Sequence, residues 1–558
     1  MTMIQNLAAA PPPVSSPRTD RRTILRLGAL GLGALAWPGA LAAQGQRGFT
    51  HGVASGEPGQ DRVLLWTRFA PSEPSAETRL DWEVSETIDF AKIVAGGSVT
   101  ASGEHDGCVK PVAMGLTPGC WYYYRFTAPS GERSAIGRTR TLPANRTDKF
   151  RLAAFSCSNL GFGWFNAYAH AAQRNDIDLT VHLGDYLYEY QAGNYPSAKQ
   201  AVAGRVLNPQ NEIVALTDYR LRHAAYRADP DLQRLHQLFP MIVMWDDHES
   251  ANDSWKGGAE NHQPETEGPW DARKIAAKRA YREWLPVSDE DWASYDIGDL
   301  ATLFRLETRL TARDKPFELP ELVAGIAPAG REAALRKFRD GAWQDPARTL
   351  LGTAQEGWLA TALSASRRAG RPWQILAQQV IMGELILPLV VSETMPPDTP
   401  AQVSERIANG AIGSRLGLPV NLDAWDGYPA ARARLLKAAR GADANLIVLA
   451  GDSHNAWSFE LADGKDPAGV EFAVSSVTSP GIERSVGWLD PARFAREAVG
   501  RNPGLKWTDT SRRGYLTVEL TKARASTEFV FMDTIRERST KLSGIHRLSV
   551  AAGSNRLG

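Results

Sequence analysis

Beyond residue 150, short apolar runs keep ending in polar side chains. AAFSCSN, DLTVHLGD, PMIVMWDDHE and NLIVLAGDSHN share that form. Each run reads as a buried strand whose C-terminal tip carries a cysteine, acids or a histidine. Between these runs apolar positions recur at helical spacing, over 164–174, 219–239 and 269–285. Strands alternating with helices predict an α/β domain. Further on, GYLTVELT and ASTEFVFMDT alternate at period two and read as antiparallel strands. The stretches 194–211 and 392–426 are rich in Pro, Gly and Asn and read as long loops around a site mouth.

Before residue 150 the grammar differs. RVLLWTRF, DWEVSE, KPVAMGLTPG and CWYYYRFTAP are short alternating runs separated by turn residues, with no convincing helix. They predict a small β-sandwich over 47–145. TLPANRTDK then reads as a linker.

Composition narrows the class. The chain has 558 residues, long enough for more than one domain. Lys+Arg and Asp+Glu balance at 63 each, so there is no basic footprint for nucleic acid. Arg21 and Arg22 precede a short, glycine-broken apolar run, and Ala40-Leu41-Ala42 follows as a small-residue cleavage pattern. Residues 1–43 thus read as a twin-arginine export signal. The run is too short to span a bilayer, and no later segment qualifies as an anchor. That route carries folded proteins, often with a cofactor loaded beforehand, so export hints at a metal. In an oxidising compartment the three cysteines need explaining. Cys108 and Cys120 flank LTPG in what reads as a hairpin, where a disulfide between them is open. Cys157 is left unpaired.

Four strand tips carry the candidate chemistry. Cys157 ends the first; Asp185 and Tyr188 follow the second. Asp246, Asp247 and His248 follow the third, and Asp452 and His454 the fourth. If the strands are neighbours, these tips build one carboxylate-rich pocket, and such charges repel unless a cation neutralises them.

Here the chain resembles the alkaline phosphatase D (PhoD) family of calcineurin-like metallophosphoesterases. The likeness runs from FTHGVASGEPGQDRVLLWTR at 49–68 through FSCSN, HLGDYLYEY, MWDDHESAND and LAGDSHN, nearly the whole mature chain. It implies an α/β metallophosphoesterase sandwich over 150–535, two mixed β-sheets flanked by helices. A small all-β domain of immunoglobulin or fibronectin kind would precede it, and 536–558 would form a tail. It also implies a ferric ion (Fe3+) beside one or more calcium ions (Ca2+). Cys157, Asp185, Tyr188 and His454 would hold the first cation. A tyrosine phenolate needs a strongly acidic cation, because phenol ionises only near pH ~10. Asp185 as bridge, Asp247 and Asp452 would hold the second, and all-oxygen ligation suits calcium. Purple acid phosphatases share this ordering but place Asn and His at the positions of Asp247 and Asp452.

By family position His248 faces the scissile phosphate, where it donates a hydrogen bond or protonates the leaving oxygen; its plainer role is to orient a carboxylate. Asp246 reads as a neighbour of the ligands, Tyr186 and Tyr190 as pocket wall or packing. Asn159, Asn252 and Asp253 are near-site candidates without a role. His170, His182, His223 and His236 read as structural or surface residues. The implied activity is that of a periplasmic or secreted, monomeric phosphoester hydrolase whose metals activate hydroxide for attack on phosphorus. Its partners are a phosphate mono- or diester and the twin-arginine export machinery. Phosphodiesterase action, on phospholipids or teichoic acids, is the near alternative. A non-catalytic metal- or phosphate-binding envelope protein is the distant one. A cysteine nucleophile would want a C-x₅-R loop, and SNLGF after Cys157 supplies no arginine.

Overall fold

Along the strand Phe150–Phe155 the side chains divide by parity, as a pleated strand requires. Leu152 and Ala154 point into a core shared with Val181, Ile242, Ile375, Ile447, Val470 and Leu516. Ala153 and Phe155 point the other way, onto Tyr168, Ala171, Leu232, Leu235 and Ala277 of helices. The computed structural model describes residues 47–558 apart from 72 and 74–76. The leader reading of residues 1–43 lies outside them.

The inner core is the seam between two facing sheets. In the first, ten-stranded sheet, Gly514–Leu520, Phe150–Phe155, Leu179–His182, Pro240–Val243, Gly48–Gly56 and Arg62–Ala70 lie side by side. Its central strands, from Phe150–Phe155 to Gly48–Gly56, run parallel. In the second, seven-stranded sheet, Ala301–Arg305, Trp373–Ala377, Leu446–Ala450 and Asp466–Ala473 form a parallel centre. Helices cover the outer face of each sheet. On the second, Phe304, Leu376 and Val448 meet Leu359, Leu363 and Leu435. The layering is helix, sheet, sheet, helix, and both sheets are mixed, as the resemblance implied. Each buried Leu or Ile contributes roughly 1.5–3 kcal/mol, the reserve against which strain and charge at the strand tips are set.

Several segments differ from the sequence reading. Residues 47–145 are not a free-standing sandwich. Their four-stranded sheet packs Leu80, Trp82, Tyr122 and Phe126 against Val53, Val63 and Leu65. Those three belong to strands of the ten-stranded sheet, and Ser55 pairs in parallel with Pro240. The pairing joins residues far apart in sequence, which local alternation cannot register. Residues 536–558 are not a tail: Leu542–Ala551 pairs with Arg524–Met532 as an edge strand. The stretch 392–426, read as loop, contains the helix Ala401–Arg415, which buries Ile407 and Ala411. The helical pattern over 219–239 is two helices, Leu216–Arg227 and Pro230–Leu238, the second capped by Asp229.

Cys108 and Cys120 are free thiols, which answers the question of a disulfide that the sequence left open. No hairpin joins them. Cys108 pairs opposite Arg68 in the large sheet, whereas Cys120 leads into Trp121–Thr127 of the four-stranded sheet. The LTPG turn carries the chain from one sheet to the other. Among the described residues no helix is long and apolar enough to cross a membrane.

Burial pushes His51, His182 and His223 down to about 3, with Arg68 and Arg227 assisting at His51 and Arg227 at His223. These rings stay neutral in the fold, while the unfolded chain protonates near pH ~6.5. A depressed folded pKa means that their contribution is present above that value and is lost as pH falls toward 3. Each should cost about 1 kcal/mol of stability between pH 6.5 and 5.5. Both ring nitrogens of His223 are buried without hydrogen-bond partners among the described residues. Thermal unfolding across this range should show His223→Phe losing less stability than the wild type on acidification; identical slopes would contradict the assignment.

Candidate metal centre

Three neighbouring strands of the large sheet, ending at Phe155, His182 and Val243, point their carboxyl ends the same way. Leu446–Ala450 of the facing sheet brings its own end to the same place. The loops that follow hold the side chains in a backbone conformation L-residues avoid. Cys157, Asp185, Asp253, Asp452 and His454 all have φ between 50° and 59°. Each such residue costs on the order of 1–3 kcal/mol, and their clustering marks a functional locus. Gly184, at φ 103°, permits the close approach of two loops. A Cβ there would sit 2.3 Å from the Cβ of Asp246.

Glu249 ties those two loops together. Its carboxylate accepts from the backbone N–H groups of Asp185 (3.1 Å), Tyr186 (2.5 Å) and Asp246 (2.7 Å). Aspartates on both tips are thereby fixed by one buried side chain.

The converging groups form three overlapping sets. Cys157, Asp185 and His454 offer ligand atoms within 4.8 Å of one another; so do Asp185, Asp247 and His248, and so do Asp246, Asp247 and Asp452. All are buried. The Tyr188 hydroxyl joins the first set, 3.0 Å from Asp185 Oδ2 and 3.1 Å from His454 Nε2, and accepts from Ser479 Oγ at 2.7 Å. His454 Nδ1 lies 2.7 Å from the carbonyl of Pro480. A carbonyl only accepts, so Nδ1 carries the proton and the Nε2 lone pair faces the site. Burial pushes His454 down to about 3, keeping the ring neutral.

Electrostatics sharpen the picture. Burial, then the Asp185 carboxylate, pushes the Cys157 thiol and the Tyr188 phenol well above their ordinary values. Burial also raises Asp185 well above the carboxylate range; His248 pulls against this, and Asp247, Asp246 and Glu249 add to it. Asp247 is held low despite burial, by Arg309 and His248. Burial opposes protonation of His248, but Asp247, Glu189 and Asp185 outweigh it and hold the ring charged. Asp185 Oδ1, Asp246 Oδ2 and Asp452 Oδ2 are buried without a hydrogen-bond partner among the described residues. Orphaned carboxylate oxygens beside a thiol, a phenol and an imidazole lone pair suit multivalent cations, which would ionise the thiol and phenol.

All the ligand candidates from the sequence meet here, and His248 with them. Sequence reasoning missed their supports. Glu189 Oε2 lies 2.7 Å from His248 Nδ1. Its other oxygen accepts from Asn252 N (2.8 Å) and Asn261 Nδ2 (2.9 Å). Arg309 forms ion pairs with Asp246, Asp423 (2.6 Å) and Asp452 (3.0 Å). Glu189 and Glu249 each adjoin a candidate already singled out. Arg309 follows the apolar run ATLFRL, another strand end; Asp423 lay in a stretch read as loop. Of the near-site candidates, Asp253 donates its N–H to Asp247 Oδ2 at 2.7 Å. Asn159 caps a short turn through Gly161 N, and Tyr186 contacts His236, 3.0 Å from its Nε2.

Comparisons with known proteins show what the chain is similar to. The profile of the PhoD-like phosphatase family matches residues 152–529, and that of the PhoD-like phosphatase N-terminal domain matches residues 35–143. Alkaline phosphatase D of Bacillus subtilis (strain 168) is 32% identical over 522 residues, covering 89% of this chain and 79% of that protein. A solved structure of PhoD superposes with a TM-score of 0.74 at 29% identity, covering 92% of each chain.

The Glu249 anchor makes a direct prediction. In Glu249→Gln one acceptor oxygen becomes a donor facing backbone N–H groups. Leaving a buried donor unpaired costs ~1–3 kcal/mol, so urea unfolding should show a loss of that order. An unchanged midpoint would show that the three hydrogen bonds do not hold the tips.

Proposed function

The chain belongs to the PhoD-like phosphatase family, and on that premise we propose that it hydrolyses phosphate esters at a centre of Fe3+ and Ca2+, outside the cytoplasm. The observation that carries this reading is the set of buried oxygens on Asp185, Asp246 and Asp452 that have no hydrogen-bond partner among the described residues, at the point where Cys157, Tyr188 and His454 converge. The donors divide in kind. Thiol, phenol and imidazole with Asp185 favour a strongly acidic cation such as Fe3+. Asp247 and Asp452, sharing Asp185, offer only oxygen and favour Ca2+. Bound there, the cations would offset charge on the phosphoryl oxygens and supply a hydroxide nucleophile at neutral pH.

The chain's own residues do the rest. Asp185 and Asp247 are each common to two of the three sets, and Asp185, the one shared with Cys157 and His454, would serve both cations. Glu249 accepts from the backbone N–H of Asp185 and so fixes where that carboxylate stands. Glu189 takes the Nδ1 proton of His248 as a hydrogen bond and fixes the ring. The Nε2–H then remains to donate to the leaving oxygen, which departs as an alcohol. Tyr188 packs against His248, ring centroids 4.2 Å apart and planes tilted by 34°, and limits its rotation. The twin-arginine pattern in residues 1–43 supports export of the folded protein.

The test uses purified protein on a chromogenic phosphate monoester and a matched diester. Turnover of at least one is expected, lost on exhaustive chelation and restored by iron with calcium. Asp185→Asn should lower it by at least ~10–100-fold and reduce the content of both metals. Undiminished turnover after chelation and in Asp185→Asn would overturn the reading. The ratio of the two rates decides between monoesterase and diesterase.

A further inference from the structure

Arg309 is fully buried, in the midst of the acids. It lies shortly beyond the strand Ala301–Arg305, so the second sheet delivers it to the tips of the first. Its guanidinium divides its donors among three carboxylates: Nε to Asp246 Oδ1, one terminal nitrogen to Asp423 Oδ2 at 2.6 Å, the other to Asp452 Oδ1 at 3.0 Å. That second nitrogen also lies 3.9 Å from Asp247 Oδ1. Asp423 is held from its other side by Arg313.

The division is unequal in an instructive way. On Asp246 and on Asp452, Oδ1 is taken by Arg309 and Oδ2 has no hydrogen-bond partner among the described residues. A planar guanidinium with donors fanned in fixed directions imposes that split; an ammonium, a point charge, would not. Were the arginine absent, Arg313 would still pair with Asp423, but Asp246 and Asp452 would lose their counter-charge in a buried space, where two unit charges 4 Å apart repel by roughly 4 kcal/mol. A cation must stand there in any case, and the chain supplies one of its own.

We propose that Arg309 is a resident cation of the centre, occupying the place of a further metal ion and leaving Asp246 and Asp452 one free oxygen each. It is thus a positioning residue that sets how many ions the centre holds and how each carboxylate meets them. The inference rests on the metal-centre reading above. It adds that the number of ions is limited by a side chain, and that Asp246 shares in ligation through Oδ2 instead of standing behind the ligands.

The experiment compares wild type, Arg309→Met and Arg309→Lys. Each full-length protein is stripped with chelator and titrated with calcium, reading the equivalents bound by calorimetry and the melting temperature at each concentration. Arg309→Met should bind one equivalent more than wild type. Its melting temperature should be lowest in chelator, and the deficit should close as calcium fills the vacated place. Arg309→Lys, which keeps the charge, should bind the wild-type number. If Arg309→Met cannot be purified without calcium, its recovery when calcium is supplied throughout expression and purification supports the proposal. Failure to recover it with calcium overturns the proposal. Wild-type stoichiometry in Arg309→Met with a calcium-independent deficit overturns it too, as does an extra equivalent in Arg309→Lys. A wild type that binds no metal at all overturns the metal-centre reading and this inference with it.

Discussion

Burial of like charges governs this molecule. Asp185, Asp246, Asp247 and Asp452 lie close together at the ends of strands from two facing sheets, almost without solvent. Such groups do not stay ionised side by side in a medium of low polarity unless cations accompany them. Part of that compensation is built into the chain, as the guanidinium of Arg309 and the charged ring of His248. The rest is left open on three oxygens without a hydrogen-bond partner among the described residues. The chemistry proposed for the site follows from that residual demand for positive charge.

The fold concentrates the acids and bears the cost. Parallel strands bring several C-terminal tips to one edge, and the facing sheet brings more from above. Left-handed conformations at Cys157, Asp185, Asp452 and His454 turn the side chains inward. The shared core beneath, with Leu152, Val181, Ile242 and Ile447 fully buried, offsets that strain. Glu249 and Glu189 turn their carboxyl groups onto backbone and imidazole N–H groups; Glu189 offsets the charged ring of His248, whereas burial pushes Glu249 up to about 7.

Much of this was legible in the sequence because strand tips are local. An apolar run followed by GD or DDH announces both the strand and what stands at its end, so Cys157, Asp185, Tyr188, Asp247, Asp452 and His454 could be named together. What escaped was non-local or locally ambiguous. The parallel pairing of Ser55 with Pro240, which fuses the N-terminal strands to the large sheet, leaves no mark in either segment. The turn after Cys108 looked like a hairpin, although the chain crosses there between sheets. Arg309 and Asp423 sit where charge patterning is that of any solvated loop; only the fold turns them inward. The helix Ala401–Arg415 was masked by the prolines and glycines around it.

Anomalous diffraction from crystals of the purified holoprotein, recorded at the iron edge and at a long wavelength sensitive to calcium and sulfur, reaches the claim on which everything else rests. Two separate peaks are expected on either side of the Asp185 carboxylate, the iron peak adjoining Cys157 Sγ and Tyr188 Oη, the calcium peak adjoining Asp247 and Asp452. A map with no peak at Asp185, or with iron bound away from Cys157, would contradict a shared centre built on these strand tips.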